Sequence, residues 1–194
     1  MKAVSVLPHG MIAHWFSWVI SLFTFFLFLL PQVSVAATRA EINRDVNIAL
    51  DTLYRTSPAA KKISTISKGV LVFPGIIKGG FVVGGQYGEG ALRVNGKTKG
   101  YYNTVSASYG LQAGAQSFGY ALFFLDQKSL DYLNKSDGWE LGTTPNLVVV
   151  DKGVARELST TTANSGIYAF IFNQKGLMAG ISIEGSKITR ISPK

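Results

Sequence analysis

Asn95-Gly96 stands between two long runs of glycine, aromatic and β-branched residues, Gly79 to Val94 and Lys97 to Ala107. This dipeptide is the strongest short-range hairpin signal, because a type I′ turn needs positive φ at both central residues. The same texture begins at Gly69 and persists almost to the end of the chain. Gly69–Phe73 reads as a strand stopped by Pro74, and Leu111–Leu125 as one interrupted by Gly114 and Gly119. Asn146–Val150, Gly166–Phe172, Leu177–Ile183 and Ser186–Ile191 complete the set. Asp126 caps a helix through about Asn134, with Leu130 and Leu133 facing inward. Strand follows strand without βαβ alternation. The expected class is therefore α+β: a mainly antiparallel sheet curled into a small β-barrel, with about three short helices packed outside. The strand glycines fit bulges and sharp bends where such a sheet curls.

Residues 38–67 form a helical front to this β body, whose core runs from about 69 to 191. Thr38 has the capping-box spacing to Glu41, and Ile42, Val46, Ala49, Leu50 and Leu53 recur at helical steps through about Tyr54. Ser57-Pro58 opens a second short helix, with serine as cap and proline at the first position. Ile63 and Ile66 give it an apolar side, while Lys61 and Lys62 lie on the polar part. Such a helix fits a membrane surface. It fits equally well with its isoleucines on the domain and its lysines in water.

The first 36 residues have a different character. Lys2 is their one charged side chain, and Met11 to Leu30 carries none. Pro31 ends the apolar run, and Ser34-Val35-Ala36-Ala37 follows. This is the order of a secretory signal, cut after Ala36, with Ala37 as the alternative. An uncleaved inner-membrane anchor is the competing reading, since about 20 apolar residues also span a bilayer. The expected mature protein, residues 37–194, is a single domain in the periplasm or secreted.

Cleavage leaves a chain with restricted chemistry. Both histidines, His9 and His14, go with the signal, and no cysteine exists. Nucleophile systems that rest on imidazole or thiolate, and ordinary zinc sites, are excluded from such a chain. No cofactor or metal is expected. Gly79 to Gly90 has neither GxGxxG before a helix nor GK[ST], so it reads as a bent strand and not as a phosphate loop. An enzyme run by carboxylates alone would draw on Glu89, Glu140 and Glu184, each beside glycine. The expectation is no enzyme. Trp139, the one tryptophan left after the cut, reads as a corner packed on the barrel, with a membrane anchor as the alternative.

Charge is unevenly spread. The mature chain has 18 basic and 11 acidic side chains, a net of +7. Thr52 to Leu125 holds that whole excess: Arg55, Lys61, Lys62, Lys68, Lys78, Arg93, Lys97 and Lys99 against Glu89 alone. One-sided basic surface concentrates anionic partners and makes binding salt-dependent. Outside the cytoplasm those anions are phospholipid headgroups or acidic polymers, and nucleic acid is not an expected partner. General solubility charge explains the same count.

Several stretches, in order, carry a family resemblance. They include Gly69-Val70-Leu71-Val72-Phe73-Pro74, Gly84-Gly85-Gln86-Tyr87-Gly88-Glu89-Gly90, Gly110-Leu111-Gln112-Ala113-Gly114-Ala115-Gln116, Gly138-Trp139-Glu140-Leu141-Gly142 and Lys175-Gly176-Leu177-Met178-Ala179-Gly180. Over about residues 40 to 191 the chain resembles the SYLF domain, or Ysc84 family, in its bacterial exported form. The resemblance implies a β-barrel with surface helices and weak affinity for phosphorylated lipids. Eukaryotic members bind phosphoinositides and, in some cases, actin; an exported protein would not meet actin, so that property is not carried over. The lipid contact of the eukaryotic members is attributed to an amphipathic helix before the core, and the matching stretch here is Arg55 to Lys68. With the charge context, this makes Arg55, Lys61, Lys62, Lys68 and Lys78 the candidate lipid-binding residues. The expected function is peripheral, weak contact with anionic phospholipids or phosphorylated lipids. The alternative is a structural or scaffolding envelope protein whose partner is another protein.

Overall fold

Thr38 and Glu41 start the first helix as their spacing predicts. The Thr38 hydroxyl accepts from the Glu41 amide, and the Glu41 carboxylate accepts from the Thr38 amide at 2.8 Å. The computed structural model describes residues 37–80, 83–109, 114–134, 138–141, 146–150, 155, 158–161, 163–176 and 185–194. All of them lie in the unit Ala37–Lys194. Helix α1 spans Arg39–Thr56 and α2 Pro58–Ser64, joined by Ser57, which caps α2 through the Ala60 amide. The strands are β1 (Gly69–Gly80), β2 (Val83–Val94), β3 (Lys97–Tyr109) and β4 (Gly114–Phe124), then β5 (Trp139–Glu140), β6 (Leu147–Val150), β7 (Ile167–Gly176) and β8 (Lys187–Ile191). Between β4 and β5, Asp126 caps α3 (Gln127–Asp131), and a 3₁₀ turn over Tyr132–Asn134 follows.

The fold is α+β, with eight strands in one sheet ordered β5-β8-β3-β2-β1-β4-β7-β6. Every pairing is antiparallel except that of β6 with β7. The edge strands are β5 and β6, yet only residues 141–146 separate them in the chain. A flat sheet would hold those edges about 34 Å apart, at ~4.8 Å per strand. Six connecting residues reach at most about 25 Å. The sheet has to curl, and it forms a half-barrel.

Side-chain contacts identify the inside of the curl. Trp139 on β5 packs on Phe124 of β4, ring centroids 5.7 Å apart, although four strands lie between them in the sheet. The Tyr120 hydroxyl of β4 likewise donates to Thr104 Oγ1 of β3 at 2.8 Å, and burial pushes that phenol's pKa up. Leu71, Phe73, Ile76, Phe118, Leu122 and Ile188 fill the same interior. Leu130 of α3 and Leu133 of the following turn join this inner core, whereas α1 and α2 pack on the outer one, together with Ala155, Leu158 and Ala163. The predicted Trp139 corner packing is what the structure contains: the side chain is buried. On the outer face Ile42, Val46, Ala49 and Leu53 of α1 and Ile63 of α2 pack over Val70, Val72, Ala91 and Phe123.

Two element boundaries differ from the sequence reading. Pro74 does not end β1; the register shifts around it, and it pairs with neither neighbour. A proline lacks the N–H a ladder needs, and a bulge is where a strand tolerates it. The run from Gly79 to Val94 is not one strand: Gly80 pairs with Gly84, so the chain reverses between β1 and β2. The described part of the fourth strand is Gly114–Phe124; Leu111–Ala113, where the reading began it, lie outside the described residues. The Asn95-Gly96 hairpin stands as read, with φ of 50° and 75°. Gly90 is required by close approach, because a β-carbon there would run into the Val72 carbonyl oxygen. The expected strand over Leu177–Ile183 lies outside the described residues.

Candidate functional site

The α2–β1 connection and the β2–β3 hairpin leave the sheet at the same end. Val70 pairs with Arg93 and Val94 with Lys97. Lys68, the Asn95-Gly96 turn and Lys97 therefore sit within two strand spacings, about 10 Å. Lys99 follows on β3, and Lys61 and Lys62 precede on α2. All five lysines are exposed, and Ile66 is exposed in the turn between Lys62 and Lys68. The local reason is amphipathicity: Ala59, Ala60 and Ile63 turn α2 inward and leave its lysines outside. Among the described residues the ion pairs are Arg44–Asp45 and Arg55–Asp51, so none of these five lysines has a carboxylate partner there.

The sequence candidates do not all meet. Lys68 belongs to this basic end, and Lys61 and Lys62 precede it on α2. Arg55 lies on α1 and is paired at 3.3 Å with Asp51 one turn earlier. Lys78 sits near the other end of β1, ten residues beyond Lys68, or about 30 Å of strand. Arg93, counted in the basic segment, fastens α1 to the sheet. Its guanidinium donates to the Asn43 carbonyl at 3.2 Å, to Asn47 Oδ1 at 2.7 Å, and to Thr98. Burial pulls its pKa below the ordinary arginine value. Asn43 completes the tie, accepting from Thr98 and donating to the Tyr101 hydroxyl.

Two features escaped the sequence reading. Arg39, Lys99 and Arg190 line one cleft of about 260 Å³, together with Thr98, Tyr101 and Ser192. These cations come from α1, β3 and β8, so nothing local connects them. A wider groove of about 960 Å³ runs between the α1–α2 corner and the β6–β7 edge, lined by Leu53, Pro58, Ala59, Val149, Phe170 and Phe172 among others. Of the carboxylates considered for catalysis, Glu89 accepts from the Ala37 amide and the Tyr87 hydroxyl, Glu140 is exposed on β5 opposite Lys187, and Glu184 lies outside the described residues. Among the described residues no three acidic or histidine side chains gather as metal ligands, and no helix is long and apolar enough to cross a membrane.

Fold and site together define a curled α+β domain with one basic end. Residues 105–192 match the model of the Ysc84 family, described as Las17-binding protein actin regulator. The match starts within β3 and runs through β8, on both sides of β1 in the sheet. The resemblance read over residues 40 to 191 is thus met in its C-terminal part, and the helical front and β1–β2 lie outside the match. No curated protein sequence matches the chain.

Proposed function

We propose that this protein is an exported, non-enzymatic lipid-binding domain of SYLF type, which contacts anionic phospholipid headgroups through its basic end. The observation that carries the reading is the set Lys61, Lys62, Lys68, Lys97 and Lys99, exposed and without acidic partners among the described residues, with Ile66 exposed in the turn between Lys62 and Lys68. Lysines held over an anionic surface contribute about 1 kcal/mol each. An apolar side chain among them can enter the interfacial layer. Arg190 and Arg39 beside Lys99 extend the same positive surface. The family description names a protein partner and actin for its members; export removes both from this chain's surroundings.

Co-sedimentation of the domain with vesicles, with and without anionic lipid, tests the reading. Binding should need the anionic lipid and weaken steeply with salt, because exposed charges are screened beyond about 10 Å at ~0.1 M. A second reading, a scaffolding envelope protein, is favoured by a different surface. Ile77, Tyr87 and Val105 pair across three adjacent strands, and all three are exposed on the outer face. Absence of vesicle binding would put that reading in front.

A further inference from the structure

Glu89 is the single acid of the basic segment, and both of its carboxylate oxygens are engaged. Oε2 accepts from the backbone nitrogen of Ala37 at 3.2 Å, and Oε1 accepts from the Tyr87 hydroxyl at 2.6 Å. Burial, the bond to Glu89 and the charge of Glu89 together push the Tyr87 phenol up to about 12. Ala37 is half-buried and packs against the outer core. Immediately after it the chain is tied down again: the Arg39 amide donates to the Lys194 carbonyl at 3.0 Å, and Arg39 Nε to the Pro193 carbonyl at 2.8 Å. Ala37 is also the residue that the signal-type pattern places directly after the cut.

We propose that hydrolysis of the Ala36–Ala37 peptide bond converts this contact into an ion pair, in which the new α-ammonium group of Ala37 is held by the Glu89 carboxylate. The reaction consumes one water under an export-linked peptidase. Its oxygen ends on the Ala36 carboxylate, and the released Ala37 nitrogen takes up protons to become ammonium. Before the cut Glu89 receives one neutral amide N–H. After it, the same atom carries a full charge and three N–H groups, and charge-assisted bonds are about twice as strong as neutral ones. The contact needs no rearrangement, because the nitrogen is already in place. Processing would thereby lock the start of α1 onto β2. The inference rests on the export part of the proposed function and is independent of lipid contact.

Both core clusters lie within residues 37–194, so a chain starting at Ala37 carries its own core. Its α-amino pKa, followed by NMR, should be raised by about one unit or more above the ordinary ~7.7–8.0. Glu89→Gln should return it to the ordinary range. The raised pKa has a sign: the added stability is fully present below the ordinary amine pKa and disappears as pH rises through the folded-state value. Thermal unfolding should therefore separate the parent chain from Glu89→Gln at pH 6.5 more than at pH 10.5. A chain beginning at Ala36 keeps every side chain but moves the amine by about 3.8 Å. It should show the ordinary pKa, which guards against a variant that merely folds badly. An unshifted amine in the Ala37 chain, or a shift that survives Glu89→Gln, overturns the ion pair. Mass spectrometry of the exported full-length chain must find Ala37 at the amino terminus; Thr38 or an uncut chain overturns the processing step even if vesicle binding is intact.

Discussion

The two halves of β1 share one strand and one pair of neighbours, yet their surroundings differ. Gly69–Phe73 is buried at every position, whereas from Pro74 to Gly80 only Ile76 is buried. In the first half Leu71 and Phe73 enter the interior while Val70 and Val72 lie under α1 and α2. Beyond the bulge at Pro74, Ile76 still points inward, but Ile77 stands 71 % exposed on the outer face. Among the described residues, helices cover one end of the sheet and not the other. Strand texture is therefore a poor guide to where stability resides, since the same β-branched residue contributes much under a helix and little beyond it.

The largest expected effect sharpens that contrast. Phe73→Ala should lower unfolding free energy by about 3–5 kcal/mol, the usual cost of a cavity left by a buried aromatic ring. Ile77→Ala should stay within about 0.5 kcal/mol, as exposed substitutions do. Urea unfolding of both variants measures the difference, and similar losses would break the comparison between the two halves.

Charge reversal probes the two ends as surfaces. Replacing Lys61, Lys62 and Lys68 with glutamate should remove at least about 3 kcal/mol of vesicle affinity. That corresponds to a loss of more than about 100-fold. Lys78, Lys175 and Lys187 lie toward the other end of the sheet, at Gln86, Ser117 and Val105 respectively in the ladder. The matching triple reversal there should cost distinctly less. Equal losses would mean that net charge, and not the basic end, governs binding.

A smaller effect is expected at the helical cover itself. Thr38→Ala removes the cap of α1 and should cost about 1 kcal/mol. If α1 is what shields the outer face of Gly69–Phe73, amide exchange in that half should quicken more than in Gly75–Gly80. Uniform exchange across the strand would separate burial from the helix cover. Smallest of all is the response of Trp139, which sits inside the curl against Phe124. Its fluorescence should be unchanged by anionic vesicles, and a blue shift on their addition would make it part of the contact surface.

Much of this molecule was legible locally. The Thr38–Glu41 capping box, the Ser57-Pro58 helix start, the Asp126 cap and the Asn95-Gly96 turn each depend on residues a few positions apart. The stripe Ile42, Val46, Ala49, Leu53 marks one helix face, and the curled antiparallel sheet follows from strand texture and glycine content. Charge counting pointed to the segment that holds Lys61, Lys62 and Lys68. These are short-range signals, and short-range physics decides them.

Tertiary structure decided the rest. Pro74 looks like a stop until β2 and β4 pair on both sides of a bulge, and no Asn-Gly or Asp-Gly dipeptide marks the reversal between β1 and β2. Placing β1 between β2 and β4, and β5 and β6 at opposite edges, depends on pairings between distant residues. So do the roles of the charged side chains. Arg93 counted as surface charge but ties α1 to the hairpin across 46 to 50 positions, and Glu89 meets Ala37 across 52. Arg39, Lys99 and Arg190 share a cleft only because the start of α1 and strand β8 both close on β3. A residue's type sets what it can bond, whereas its partner depends on which distant segment the folded chain brings within about 3 Å.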